Sequence, residues 1–76
     1  MASNARKKLC VLLVNVRLKA GLTQVELSSR LKRPQSFVSK YERGERRLDV
    51  VEFGEVAVAL GVDPVRLLGK FYRETA

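Results

Sequence analysis

Four polar side chains near the middle of the chain have a spacing that places them on one face of a helix. Gln35, Ser36, Ser39 and Lys40 include pairs three and four residues apart, and such pairs are neighbours on a helix surface. An amide pairs with adenine N6 and N7, a lysine donates to guanine O6 and N7, and a serine suits a base or a phosphate. The pattern is typical of a helix that hydrogen-bonds to base edges. An ordinary solvated helix face has the same polarity, so polarity alone leaves both interpretations open.

Cationic side chains bracket this polar segment. Lys32 and Arg33 precede it, and Arg43, Arg46 and Arg47 follow it. The net charge of +7 is uneven, because residues 1–48 hold 12 Lys and Arg against 3 acids (+9), whereas residues 49–76 hold 3 against 5 (−2). This distribution favours a polyanion as partner, since neutralising phosphates releases condensed counterions. A basic surface that only improves solubility is the alternative.

Other chemistry has little support in the sequence. The chain has no His, no metal-ligand cluster and no Gly-rich phosphate loop, and its single Cys10 has no partner for a disulfide or a catalytic pair. We therefore expect no enzyme activity, no cofactor, no metal and no small-molecule ligand, and we interpret Cys10 as a partly buried apolar residue. Asn15 and Arg17 interrupt the first apolar run, so we expect no signal peptide and no membrane contact. Because a single cysteine cannot form an internal disulfide, we expect a reducing, cytoplasmic location.

Helix start and stop signals predict an all-α fold, a compact five-helix bundle that forms one domain over residues 1–76. The first helix is expected over residues 6–20, before Gly21, with residues 1–5 disordered. Thr23 with Glu26, and Asp49 with Glu52, form capping boxes that begin the second and fourth helices. The third helix is expected over residues 34–43 and the fourth up to Gly61, and Asp63-Pro64 begins the fifth.

The first helix carries two apolar stripes. The predicted core stripe is Leu9, Leu13, Val16 and Ala20, and the opposite stripe is Val11, Val14 and Leu18. Two interpretations of the second stripe stay open. The fifth helix covers it through Leu68, Phe71 or Tyr72, or it forms a contact with a second subunit, because an uncovered apolar stripe is unusual on a monomer.

The short connection between the second and third helices has the spacing of a helix-turn-helix, here at about residues 23–44. At this point the sequence resembles the phage-repressor and Cro-like helix-turn-helix proteins, the XRE type. The resemblance runs from Leu9 to Leu68. It is carried by Arg17, Gly21-Leu22-Thr23-Gln24, Glu26-Leu27, Gln35-Ser36, Val38-Ser39-Lys40, Glu42-Arg43-Gly44 and Ala59-Leu60-Gly61-Val62.

The resemblance implies a lambda-repressor-like DNA-binding domain and a role for each site residue. It implies that Gln24 contacts phosphate and steadies Gln35, and that Gln35, Ser36 and Lys40 read bases. Ser39 would contact a base or a phosphate, Arg43 the sugar-phosphate backbone, and Arg46 and Arg47 would lie in a basic loop near the flanking minor groove. Arg17 and Glu42 would form a structural ion pair between the first and third helices. A phosphate contact by Arg17 is the rival interpretation.

The implied function is a transcriptional regulator that binds double-stranded DNA. It would bind a pseudo-palindromic operator as a homodimer, with the third helix in the major groove. The alternative is an antitoxin-like or anti-regulator module that keeps the fold but works by binding a protein. Two departures from the family pattern bear on the fold, Lys32 where a Gly is frequent and Gly54 where a large apolar residue is common. Lys32 is strained if it is left-handed, and one interpretation of Gly54 is close packing.

Overall fold

The computed structural model describes residues 2–75, with side chains from Asn4 onward. Within this range the chain forms helices and no strand, in agreement with the predicted all-α class. The helices are α1 (Ala2–Lys19), α2 (Gln24–Leu31), α3 (Gln35–Glu42), α4 (Val50–Ala59) and α5 (Pro64–Thr75). None of the helices across residues 2–75 combines the length and the apolar character needed to span a bilayer.

Side-chain caps begin α2 and α4 as predicted. The Thr23 hydroxyl accepts a hydrogen bond from the Glu26 amide at 3.0 Å, and the Glu26 carboxylate accepts one from the Thr23 amide at 2.8 Å. Asp49 and Glu52 repeat this arrangement at 2.7 and 3.0 Å. Each box satisfies two backbone donors that a helix start would otherwise leave without a partner, which fixes where the helix begins.

Two helix boundaries differ from the prediction. Helix α1 begins at Ala2, before the predicted start at residue 6, because this segment contains no Gly or Pro to end the helix. The expectation that residues 1–5 are disordered stays a prediction. Met1 lies outside the described residues. Pro34 caps α3 with an extended ψ of 151°, so the helix begins at Gln35, and it ends at Glu42 with Arg43 as the cap.

The core lies where all five helices meet. Helix α1 packs against α3 and α5, α2 packs against α3 and α4, and α4 packs against α5. The most deeply buried large side chains are Leu13, Leu27, Val38, Tyr41 and Val56. The helix-turn-helix is therefore held from both sides, with α1 behind α3 and α4 behind α2.

The predicted core stripe of α1 is partly wrong. Leu13 is buried and Leu9 and Val16 are half-buried, but Ala20 is exposed because it lies in the turn beyond the last residue of α1. Leu12, which was not in the predicted stripe, is buried. Its position on α1 lies beside Val16 and next to α5, so the covered side of the helix is wider than one stripe.

The second apolar stripe of α1 stays largely uncovered. Val11 is 58% and Leu18 59% exposed, and Val14 is half-buried. Phe71 of α5 lies beside this stripe and packs on the core, whereas Tyr72 is 61% exposed. Helix α5 therefore covers only part of the stripe, and the interpretation that it covers all of it is wrong.

The turn between α2 and α3 depends on a left-handed residue. Lys32 has φ 57° and ψ 41° and caps α2, whereas glycines supply the other positive φ values, 73° at Gly21, 76° at Gly44 and 80° at Gly61. A side chain in this conformation costs on the order of 1 kcal/mol. Gly54 is different, because a Cβ added there would meet nothing within 4 Å. Close packing therefore does not explain Gly54.

We expect Lys32→Gly to raise the free energy of unfolding by about 0.5–1 kcal/mol, because glycine adopts the left-handed conformation without a steric penalty. Urea denaturation followed by circular dichroism measures the change. The matched control is Ser29→Gly in the interior of α2, which should lower stability. Equal losses in both variants would contradict the account of this turn.

Candidate nucleic-acid interface

An ion pair between α1 and α3 lies directly behind the helix-turn-helix. The Arg17 guanidinium donates to both Glu42 carboxylate oxygens, from Nε at 2.7 Å and from Nη2 at 3.1 Å. Its Nη1 donates to the Leu22 carbonyl at 2.9 Å. The side chains are only 11% and 5% exposed, and the hydrogen bonds from Arg17 to Glu42 raise the pKa of Arg17. The predicted pair is present, and it joins α1, the turn before α2, and the end of α3.

Gln24 extends this pair toward the helix-turn-helix surface. Its Nε2 donates to Glu42 Oε1 at 2.8 Å, so the carboxylate accepts three hydrogen bonds from two side chains. Its Oε1 accepts a hydrogen bond from Gln35 Nε2 at 3.4 Å. Arg17, Glu42, Gln24 and Gln35 therefore form one continuous chain of hydrogen bonds, which we call the brace.

The brace orients the Gln35 amide and leaves part of its hydrogen-bonding capacity free. A primary amide has two N–H donors and two acceptor lone pairs. The bond to Gln24 takes one donor, which leaves the other donor and the carbonyl oxygen at the surface. These are the two groups that a bidentate contact with adenine requires.

The reading face, defined as Gln35, Ser36, Ser39 and Lys40, lies on one side of α3. Gln35, Ser36 and Lys40 are exposed and Ser39 is half-buried. The opposite side of α3 holds the buried Phe37, Val38 and Tyr41. The structure therefore brings the predicted base-reading residues together on a surface and anchors the helix from behind.

Tyr41 anchors α3 by packing. Its ring meets Phe37 edge-on, with the centroids 5.6 Å apart. The side chain is 2% exposed, and its hydroxyl has no hydrogen-bond partner among the described residues. Burial raises the pKa of Tyr41, so the phenol stays neutral. The Cys10 thiol donates to the Tyr41 carbonyl at 3.3 Å, which ties this half-buried cysteine of α1 to α3.

Arg43 lies at the end of α3, next to the reading face. It donates to the Ser39 hydroxyl and, from Nε and Nη2, to the Glu45 carboxylate at 3.0 and 3.1 Å. Both members of this ion pair are 56% exposed. Exposed ion pairs contribute little to stability. A phosphate can therefore replace Glu45 as the partner of Arg43 at a small cost in free energy.

Glu52 holds two arginines that flank the reading face. Arg46 donates to both of its oxygens, at 3.1 and 2.8 Å, and Arg33 Nη1 lies 3.7 Å from Oε2. The guanidinium groups of Arg33 and Arg46 also lie over the Phe37 ring, 4.4 Å and 4.7 Å from its centroid, respectively. The hydrogen bonds from Arg46 lower the pKa of Glu52 to about 2. The stabilisation from this pair is complete above the usual carboxyl pKa and is lost as the pH falls toward 2.

Sequence reasoning missed the arrangement around Glu52. The capping box identifies Glu52 as a cap, and nothing in that pattern indicates that the same carboxylate also binds Arg46 and Arg33 from other elements. Arg46 was predicted as a backbone contact, and here it is turned toward Glu52. Arg47 is exposed, and its carbonyl accepts a hydrogen bond from Arg46 at 3.0 Å.

The comparison with known proteins agrees with this geometry. A family model described as "Helix-turn-helix" matches residues 13–67, which is most of the chain and includes α2, α3 and α4. The chain belongs to the XRE-type helix-turn-helix family. Members of the XRE-type family are DNA-binding transcriptional regulators.

Individual relatives support the same assignment. The uncharacterized HTH-type transcriptional regulator y4dJ of Sinorhizobium fredii (strain NBRC 101917 / NGR234) is 42% identical over 53 residues, 70% of this chain and 69% of the relative. The structure of an XRE-family like protein from Pseudomonas syringae pv. tomato str. DC3000 is 51% identical, with a TM-score of 0.88, over 99% of this chain and 93% of that one. The restriction-modification controller protein C.AhdI from Aeromonas hydrophila is 29% identical, with a TM-score of 0.74, over 86% and 97%.

We expect Glu42→Ala to lower the free energy of unfolding by roughly 3–5 kcal/mol, because it leaves the Arg17 guanidinium largely buried without its counterion. Urea denaturation measures this loss. The matched control is Glu45→Ala, which removes the exposed partner of Arg43 and should leave stability nearly unchanged.

A second variant separates charge from packing in this XRE-type domain. Arg17→Met combined with Glu42→Leu replaces the pair by apolar side chains and should recover most of the stability that Glu42→Ala loses. If Glu42→Ala is as stable as Glu45→Ala, the ion pair does not hold α1 against α3 and the account of the brace is wrong.

Proposed function

We propose that this protein binds double-stranded DNA sequence-specifically, with α3 in the major groove, and so regulates transcription. The observation that carries the proposal is the reading face of α3, exposed on one side and fixed from behind by the brace. A solvated surface helix needs no such support. A helix that must place donors and acceptors against base edges does, because a good bidentate contact discriminates bases by only about 1–3 kcal/mol and depends on geometry.

Each residue of the reading face has a proposed role. Gln35 pairs with adenine through its remaining donor and its carbonyl oxygen, and Lys40 donates to guanine. Ser36 contacts a base. Ser39 contacts a base or a phosphate with its hydroxyl hydrogen, since its oxygen already accepts a hydrogen bond from Arg43.

The flanking side chains contact the DNA backbone in this proposal. Gln24 has one amide hydrogen beyond its bond to Glu42 and donates it to a phosphate. Arg43 exchanges Glu45 for a phosphate, and the exposed Arg47 contacts the backbone directly. Arg46 reaches a phosphate only by leaving Glu52, so its contribution is the smallest of the three arginines.

The proposed binding unit is a homodimer on a pseudo-palindromic operator. One domain presents one recognition helix and covers one half-site, whereas two domains place their helices in successive major grooves about 34 Å apart. Dimerisation then raises affinity through the effective concentration of the second helix.

Two apolar surfaces are candidates for the dimer contact. The first is the predicted stripe of Val11, Val14 and Leu18. Val11 and Leu18 line one groove between α1 and α5 together with Phe71. The two predicted contact regions, on α1 and on the C-terminal helix with Leu68, Phe71 and Tyr72, are therefore neighbours. The rim of this groove carries Lys7, Lys8, Lys19 and Lys70, and like charges at a two-fold axis repel each other.

The second surface lies on the outer side of α4 and was not predicted. Val51 and Val58, seven residues apart on one face, are 66% and 68% exposed. Gly54 lies between them in the same helix, and the shallow depression beside Val58 is flanked by both Arg30 and Glu55. Two copies of a surface that carries both signs of charge beside apolar side chains can face each other with opposite charges in contact. We therefore propose α4 as the centre of the dimer contact.

The role assignment predicts different DNA-binding defects for two variants. Gln35→Ala should relax base preference at one position of each half-site, because it removes a direct base contact. Arg43→Ala should weaken binding to all sequences alike and reduce the salt dependence, because it removes a phosphate contact. An unbiased selection of bound DNA at two salt concentrations measures both effects, and it also reports half-site spacing and symmetry.

The opposite pattern, with Arg43→Ala altering the preferred sequence and Gln35→Ala weakening all sites equally, would overturn the assignment. A selection that recovers no preferred sequence with the unmodified chain would contradict sequence-specific binding itself.

The dimer contact is tested by solution mass. We expect Val58→Glu to convert the dimer to a monomer, because it buries an unpaired charge at the contact. Val11→Glu, a matched change at a valine of similar exposure on α1, should leave the dimer intact. Analytical ultracentrifugation measures both, and a monomer with Val11→Glu but not with Val58→Glu would place the contact on α1 instead.

A further inference from the structure

The groove between α1 and α5 is an unoccupied apolar surface on a folded domain. Val11 and Leu18 line it while more than half exposed, and the buried Leu12 and half-buried Phe71 line it from the core side. Its volume is about 570 Å³. Exposed apolar side chains grouped in a concave site are typical of a binding surface.

The length of the groove suits a helix. It extends along α1 from Lys7 to Lys19, which at 1.5 Å per residue is about 18 Å, or roughly three turns. Because α1 and α5 form its two walls, a third helix can lay a ridge of side chains between them. The ridge would repeat every three to four residues, like the apolar residues of an amphipathic helix.

The charge around the groove favours an occupant of opposite, negative charge. The ionisable side chains that line it are four lysines and one glutamate, namely Lys7, Lys8, Lys19, Lys70 and Glu74. Lysines around an apolar strip complement a partner whose apolar stripe is bordered by Asp or Glu. A second copy of the same surface would bring lysines against lysines, which disfavours self-association here.

DNA is a poor occupant of this groove. A phosphate backbone would use the lysines but would leave Val11 and Leu18 against a charged, hydrated surface. The groove also shares no lining residue with the reading face or with the arginines at its flanks. It is therefore a separate surface, on the side of α1 that faces α5.

We propose that the α1–α5 groove binds an acidic amphipathic helix of a partner protein. The partner uses an apolar stripe to cover Val11, Leu18 and Phe71, and its flanking carboxylates pair with the lysines at the rim. Such a partner acts on the regulator through a surface other than the DNA-contacting one. The interaction does not depend on the DNA-binding role proposed above.

A synthetic peptide tests the groove directly. The probe is a 15-residue helical peptide with Leu at positions repeating every three and four residues and Glu at the flanking positions, titrated into the full chain and followed by amide chemical shifts. We expect shifts confined to α1 and α5 around the groove. A scrambled peptide of the same composition, which keeps the charge but loses the stripe, should bind at least about tenfold more weakly.

Matched variants separate the groove from general attraction to a basic protein. Lys70→Glu and Leu18→Ser should each weaken peptide binding by about tenfold, because one reverses a rim charge and the other removes apolar contact. Arg73→Glu makes the same charge change on the same helix at a residue that does not line the groove, and it should change affinity by less than about threefold.

Three results would overturn the proposal. The first is equal binding of the scrambled peptide, and the second is a shift pattern centred on α3. The third is a fall in the mass of the unbound chain with Leu18→Ser, which would show that a second copy occupies the groove.

Discussion

The ion pair between Arg17 and Glu42 is the interaction on which the DNA-facing geometry depends. It joins three segments that are distant in sequence, since Arg17 belongs to α1, Glu42 to α3, and the Leu22 carbonyl to the turn before α2. A charge pair with so little exposure contributes to the fold only when its hydrogen bonds are satisfied, and here Glu42 accepts three. One of them comes from Gln24, which in turn holds Gln35. The same carboxylate thus fixes the packing of α3 and the orientation of a side chain at the surface.

Nearby acidic side chains hold the cations around the reading face in place. Arg43 is paired with Glu45, and Arg46 is paired with Glu52 above the Phe37 ring. These pairs differ in exposure, because Glu45 is 56% and Glu52 13% exposed. Exchange for a phosphate is therefore easier for Arg43 than for Arg46. In the proposed complex, this difference ranks the arginines by how readily each contributes to DNA affinity.

The sequence predicts the elements well because the signals that begin and end these helices are local. The boxes at Thr23 and Asp49 each lie within four residues, and their hydrogen bonds form whatever the tertiary contacts are. Burial is less predictable, since it depends on which helix covers which side. Leu12 is buried although it lies outside the predicted stripe, and Ala20 lies beyond the end of α1. On α4 the buried Phe53, Val56 and Ala57 have the spacing of a helix core face, and the exposed Val51 and Val58 lie outside that stripe.

The same distinction applies to the site. The positions of Gln35, Ser36, Lys40 and Arg43 follow from helical spacing, and the ion pair from resemblance to the family. The Gln24 bond to Glu42 and the contacts of Glu52 with Arg46 and Arg33 join residues that lie 6 to 19 positions apart, and no periodicity indicates them. The departure at Lys32 shows that a local rule can also be broken, since a non-glycine residue adopts the left-handed conformation in the turn between α2 and α3.

The most direct test of this account is a crystal structure of the protein bound to the DNA fragment recovered by selection. The account predicts the Gln35 amide within about 3 Å of a base edge in the major groove, with the Arg17–Glu42 pair and its bond to Gln24 intact. A complex in which α3 faces away from the DNA, or in which Arg17 has left Glu42 to bind a phosphate, would contradict it.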